Sequence, residues 1–174
     1  MANFIDSIMA QNGKILRPNR FKVTLYFPDV IVAQIAVLKS TVFALSTSVP
    51  SKETGIIEIP AYGGTPIKVP GDVTVPDWSC TFQADPDMTI YRALQRWKEF
   101  CSSTITGLRA NDLVLFGGAE VQQMDGLNQT VQTWELVKIF PTSIGELTLS
   151  KEDKDSYLQF DSSFACNDII TNLV

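Results

Sequence analysis

The chain has 174 residues, no histidine and three cysteines, with 19 acidic against 14 basic side chains. A composition of 45% hydrophobic and 19% charged residues is globular, and at this length folding hides roughly two-thirds of the unfolded surface, enough for a core without staples. The missing imidazole excludes Ser-His-Asp and Cys-His pairs, and a net charge of -5 argues against a basic groove wrapped on nucleic acid.

The opening residues, MANFIDSIMAQNGK, have no basic n-region or long apolar stretch, so cytoplasmic synthesis is expected. No apolar run approaches the ~20 residues of a membrane helix, and no stable membrane binding is expected. Phe4, Ile5, Ile8 and Met9 fall at helical spacing before the Asn12-Gly13 break. So short a helix is unstable alone, and its apolar face implies a docking surface.

Residues 20–27 alternate, with Phe21, Val23, Leu25 and Phe27 on one side and Lys22, Thr24 and Tyr26 on the other, which predicts a half-buried strand. An irregular apolar link through Ile31 and Val37 leads to a second predicted strand over 40–47, ended by Val49-Pro50. Residues 53–72 predict a hairpin: two β-rich runs, 56–59 and 67–69, flank a tip holding Gly63 and Gly64. Pro60, Pro66 and Pro70 suit no central strand, so the hairpin should project and find its partner elsewhere.

A strand is predicted over 73–84, with Trp78, Cys80 and Phe82 inward. Asp85 as cap and Pro86 as first residue then predict a helix over 86–100, its stripe of Ile90, Leu94, Trp97 and Cys101 lying on the sheet. Strands follow over 112–124 and 130–140, joined by a turn at 125–128, with a corner at 141–145 and a wet, charged turn at 151–155. The last strand turns Leu158, Phe160 and Phe164 inward and Gln159, Asp161 and Ser163 outward. The sum is about seven mostly antiparallel strands and one substantial helix.

No catalytic, cofactor-binding or metal-binding constellation emerges. The cysteines Cys80, Cys101 and Cys166 have no CxxC spacing and read as small apolar fillers. Gly63-Gly64 and Gly117-Gly118 lack the Lys-Ser/Thr ending of a phosphate loop and read as turn or bulge glycines. Charge is uneven: residues 1–119 hold 11 basic and 10 acidic side chains, whereas 120–174 hold 3 and 9. That excess serves solubility, or else lines a channel that repels a polyanion.

In order and spacing, several pieces resemble the tail tube protein family of contractile-tailed bacteriophages, related to type VI secretion tube proteins. They are Arg17-Pro18-Asn19-Arg20-Phe21, Val49-Pro50 before the hairpin, Val69-Pro70-Gly71-Asp72 leading into Asp77-Trp78, Trp97 on the helix, and Trp134 ahead of the run Ile139-Phe140-Pro141-Thr142-Ser143-Ile144-Gly145-Glu146. The resemblance covers residues 15–166 and implies a mainly β fold. That fold is an antiparallel β-sandwich or half-barrel with one flanking helix and a projecting hairpin, closing into a ring-wide β-barrel on oligomerisation.

It further implies one domain over 1–174, divided into an N-terminal arm (1–14), an inter-ring hairpin (53–72), a flanking helix (86–100) and a C-terminal tail (167–174). Subunit and inter-ring contacts are expected at Ile56, Ile57, Ile59, Tyr62, Ile67, Phe4 and Ile8. Lumen-facing positions are expected at Gln159, Asp161 and Ser163, and core positions at Trp78, Phe82, Trp97, Trp134 and Phe160. The implied role is structural and non-enzymatic, without cofactor: hexameric rings stacked into the virion's tail tube, with sheath, baseplate and terminator proteins as partners and DNA in transit.

Two alternatives stand beside it. One is the tube of a phage-derived contractile injection or secretion system. The other is a carbohydrate-binding β-sandwich stacking sugars on Trp78, Trp97 and Trp134, although the alternation sets Trp78 and Trp97 among core residues.

Overall fold

The period-two patterning of this chain is realised as burial. Val23 and Leu25, Trp78, Cys80 and Phe82, and Phe160 and Phe164 are all at most 2% exposed, while their sequence neighbours face the other side. The computed structural model describes residues 16–29, 31, 34–60, 63–102, 114–150 and 157–173. The predicted helix around Phe4 and Ile8, Tyr62, the turn at 151–155 and residues 112 and 113 lie outside the described residues.

The elements run β1 (Phe21–Tyr26), α1 (Gln34–Phe43), β2 (Ala44–Ser48), β3 (Glu53–Ile59), β4 (Ile67–Thr74), β5 (Trp78–Gln83), α2 (Thr89–Cys101), β6 (Gly117–Met124), β7 (Thr130–Ile144) and β8 (Gln159–Leu173). Six strands form one antiparallel sheet in the order β1-β6-β7-β8-β5-β2, which curls almost into a barrel, and β3 and β4 form a separate two-stranded sheet. The mainly β, antiparallel expectation is borne out.

Inside the curl, Trp78 stacks on Phe164 with ring centroids 4.9 Å apart, and Phe82 lies 5.8 Å from Phe160. Helix α2 closes this interior with Ile90, Leu94 and Trp97, none of them exposed. The Trp97 indole N–H donates to the Leu115 carbonyl at 2.9 Å, and its ring meets Phe27 edge-on at 5.5 Å. Gly117 makes that seat possible. A Cβ there would run into the Tyr26 carbonyl oxygen and lie 2.6 Å from the indole.

The edge of β1 is covered by α1, where the Leu25 N–H donates to the buried Ser40 Oγ at 3.1 Å and Thr24 lies 3.4 Å from Thr41. Helices α1 and α2 are tied through Asp85, whose side chain is 1% exposed and meets the Lys39 ammonium at 2.7 Å. The same carboxylate accepts the Thr89 and Ile90 N–H groups at 3.1 and 3.3 Å.

Several expectations are corrected. Residues 40–43 belong to a helix, so the second strand is only Ala44–Ser48, and Val37 lies in that helix rather than in an irregular link. The pattern misled because α1 exposes apolar residues while burying small ones. Ile35, Leu38 and Val42 are 63%, 72% and 74% exposed, whereas Ala36 and Ser40 are fully buried, which erases the amphipathic period.

The strand expected over 73–84 divides at 75–77, with its first residues completing β4. Helix α2 begins at Thr89 rather than 86, because Asp85 caps from a preceding turn that ends at Met88 with φ 53°. The strand expected from 112 starts as β6 at Gly117, after a turn at 114–115.

The corner at 141–145 is instead the end of a continuous β7, which bulges between Pro141 and Ser143. The tail at 167–174 is strand through Leu173, paired to β7 as far as Gln132. Lys138, at φ 53°, kinks that ribbon so that Leu136 and Ile139 both face the core.

Two stability predictions follow from these contacts. Gly117→Ala should cost about 3 kcal/mol in urea unfolding, the upper range for an overpacked core; a loss below about 0.5 kcal/mol contradicts the seating of Trp97. For Asp85, burial raises the pKa, but the Lys39 ammonium, the Thr89 N–H and hydroxyl and the Ile90 N–H outweigh it and hold the carboxyl below its ordinary value. Its stabilisation is therefore complete above the unfolded pKa of about 3.9 and is lost as pH falls through the lower folded value. Asp85→Asn should lower stability at neutral pH by about 2 kcal/mol and flatten the acid limb of the stability–pH curve.

Candidate functional site

With the apolar side of the sheet filled by α2, the opposite side carries what the strands cannot bury. Ser48 and Ser79 sit 2.8 Å apart Oγ to Oγ, and Ser79 is directly opposite Ser163 on β8. Beside this row the Thr81 hydroxyl donates to Asp161 Oδ1 at 2.7 Å. Asp161 and Gln159 are exposed and Ser163 is half-buried on the same face. Further along it, Glu120 and Glu135 are register partners on β6 and β7.

Like charges placed opposite each other repel. Glu120 accepts hydrogen bonds from Gln122 Nε2 at 2.6 Å and from the Tyr26 hydroxyl at 3.2 Å. Burial, the hydrogen bond to Glu120 and the charges of Glu120 and Glu135 raise the Tyr26 pKa above its ordinary value. The face is hydroxyl- and amide-rich and weakly acidic. On the other side of the molecule, α2 exposes Arg92, Arg96 and Lys98.

The second surface is the β3–β4 hairpin, whose β3 strand is exposed throughout. Cross-strand partners Ile57–Val69 and Ile59–Ile67 put four aliphatic side chains on one face of this ribbon. Ile57, Ile59 and Ile67 are 55%, 49% and 60% exposed. Ile56 pairs with Pro70 and lies on the opposite face with Glu58 and Lys68, the last two 3.4 Å apart. At the ribbon's root the Lys52 ammonium meets Asp168 of β8 at 2.6 Å, and this contact, with the Ile169 N–H, holds the Asp168 carboxyl below its ordinary pKa.

Of the expected core residues, Trp78, Phe82, Trp97 and Phe160 are buried, while Trp134 is half-buried against the edge of the core. Burial of Trp78 and Trp97 removes two of the three rings that a sugar-stacking platform would need. Sequence reasoning missed the Ile35–Leu38–Val42 stripe of α1; the only signal was that the segment is apolar all round. Among the described residues there is no group of three metal-ligating side chains and no helix long and apolar enough to cross a membrane. Burial pushes the Cys80 thiol up to about 12.

The fold is that of tube components from contractile injection systems. A chain in the cryo-EM structure of the anti-feeding prophage tube-terminating cap superposes with a TM-score of 0.67 at 16% identity, covering 92% of each chain. A chain of the extended sheath–tube complex of the PVC extracellular contractile injection system gives 0.64 at 18% identity, covering 92% of this chain and 93% of that one. In sequence, this chain is 26% identical over 159 residues to the tail tube protein of Serratia phage KSP90, covering 91% of this chain and 89% of that protein. No family model matches. The resemblance read from the motifs is borne out by this relative.

If the aliphatic face of the hairpin serves contacts between copies, Ile57→Asp with Ile59→Asp should leave the circular-dichroism spectrum and melting temperature unchanged while abolishing higher-order species in sedimentation. Loss of the fold itself contradicts the separation of the hairpin from the main sheet.

Proposed function

We propose that this chain is a structural subunit of a phage tail inner tube, assembled as stacked hexameric rings through which DNA passes into the host. The observation that carries this reading is the likeness to the tail tube protein of Serratia phage KSP90, which extends over 91% of the chain rather than over one motif. The physical layout supports it. Among the described residues no strand pairs with the outer edge of β2, and the outer edge of β1 meets α1 through Ser40; joining neighbouring copies at these two borders turns six curled sheets into one ring-wide barrel.

In that barrel the face bearing Gln159, Asp161, Ser163, Glu120 and Glu135 lines the bore. The same arrangement turns α2, with Arg92 and Arg96, outward to the sheath. The aliphatic face of the β3–β4 hairpin, with Ile57, Ile59 and Ile67, reaches the adjacent ring, and baseplate and terminator proteins cap the two ends. The role is structural and not catalytic, in the tail of the virion, after synthesis in the host cytoplasm.

A second reading, the tube of a contractile injection system, draws on the fold shared with the PVC sheath–tube chain; identification of the cargo separates the two. Negative-stain microscopy of the concentrated protein, seeded with its baseplate, should show six-fold rings and tubes. Monodisperse single particles at every concentration contradict the assembly.

A further inference from the structure

Among the described residues, two aliphatic patches lie open. One is the face of the β3–β4 hairpin that exposes Ile57, Ile59 and Ile67 beside Val69. The other is on α1, where Ile35, Leu38 and Val42 stand at i, i+3 and i+7, on one side of the helix. Outside the hairpin, no other described element exposes more than one large apolar side chain. The only charged residue of α1, Lys39, is drawn aside to Asp85 and Asp87 at 2.7 and 2.9 Å, so the stripe is uncharged.

Strand pairing sets these patches apart. β2 and β5 run antiparallel, with Ala44 opposite Phe82 and Ser48 opposite Ser79. The hairpin leaves the sheet after Ser48 and returns before Trp78, whereas α1 ends at Phe43 and runs straight into Ala44. The two patches therefore leave the sheet at opposite ends of a strand pair about 17 Å long, at ~3.4 Å for each of the five residues of β2. The edge strand β1 agrees: Ser40 of α1 bonds at Leu25, near its end, while Val49 lies by Phe21, at its start. Within the chain α1 packs on β1, β5 and α2, and both patches stay exposed. An apolar patch that meets its own copy closes a two-fold pair and stops, whereas one that meets a different patch joins copies head to tail without limit. Patches at opposite ends of one strand pair have the second geometry.

We propose that the aliphatic face of the β3–β4 hairpin seats on the Ile35–Leu38–Val42 stripe of α1 in a second copy, in the ring next to its own. The contact rests on the tube reading above and names what the hairpin meets there. Seven aliphatic side chains fall well short of the ~800 Å² per partner of a stable pair, so one such contact is weak. Repeated around a ring, each contact makes the next intramolecular, and the set holds. The seating also accounts for a helix that is apolar outside and buries a serine inside.

The test uses full-length protein carrying Leu38→Cys and Ile59→Cys, assembled into tubes and treated with a short bismaleimide. The native thiols are poor competitors, since burial raises the pKa of Cys80, Cys101 and Cys166. The expected product is a ladder of dimers, trimers and longer chains joined by 38–59 peptides, with each single-cysteine variant left at monomer mass. A 59–59 link in the Ile59→Cys variant, a 38–59 link within a monomer, or tubes without any 38–59 link overturns the seating and leaves the tube reading in place. Wild-type protein that never assembles, even when seeded with its baseplate, overturns both.

As a second readout, full-length Leu38→Ser/Val42→Ser removes the stripe from a surface the fold does not use, since these side chains are 72% and 74% exposed. Its circular-dichroism spectrum and melting temperature should match the wild type, while the protein concentration needed for tube growth rises by roughly tenfold or more. Tube growth at the wild-type concentration overturns the proposal.

Discussion

The Trp97 indole lies against Gly117, bonded to the Leu115 carbonyl and in ring contact with Phe27 and Phe164. That contact joins α2 to the interior of the curled sheet and so decides which of the sheet's two faces is dry. Once it is made, period-two alternation assigns every side chain of β1, β5, β6 and the first half of β8 to the core or to the polar face. The hydroxyl row, the Glu120–Glu135 pair and Asp161 are on their shared face as a consequence of what is buried opposite. A sheet packed on one side and wet on the other is also what a bore-lining wall requires.

The parts of the fold with a clean period could be read from the residues. Phe21 to Phe27, Trp78 to Phe82 and Phe160 to Phe164 alternate, and the stripe of Ile90, Leu94 and Trp97 repeats at helical spacing, so their inward faces were legible. Helix α1 was not, because its exposed side is as apolar as its buried one and tertiary contacts, chiefly Ser40 against the β1 edge, decide its state. The register of the long β7–β8 ribbon was equally hidden. A single left-handed residue, Lys138, changes which side chains face inward, and lysine announces no such change in a sequence.

For the functional surfaces, the exposed isoleucines of the hairpin were legible from proline placement and turn glycines, but the division of Ile56 from Ile57 and Ile59 needed the pairing register. Gln159, Asp161 and Ser163 were legible as one side of a strand. That Thr24, Thr81, Glu120 and Glu135 share that side depends on non-local pairing, which no local pattern encodes. Trp134 carries the same lesson: its alternation parity points inward, yet the ring is only half-buried, packed against the edge of the core.

The proposed tube turns the polar face of the sheet, rather than α2, toward its bore. A cryo-EM reconstruction of assembled protein tests it most directly. Thr81, Glu120, Glu135 and Asp161 are expected on the inner wall, with Arg92 and Arg96 on the outer surface. A wall formed by α2, with the hydroxyl-rich face outside, would contradict it.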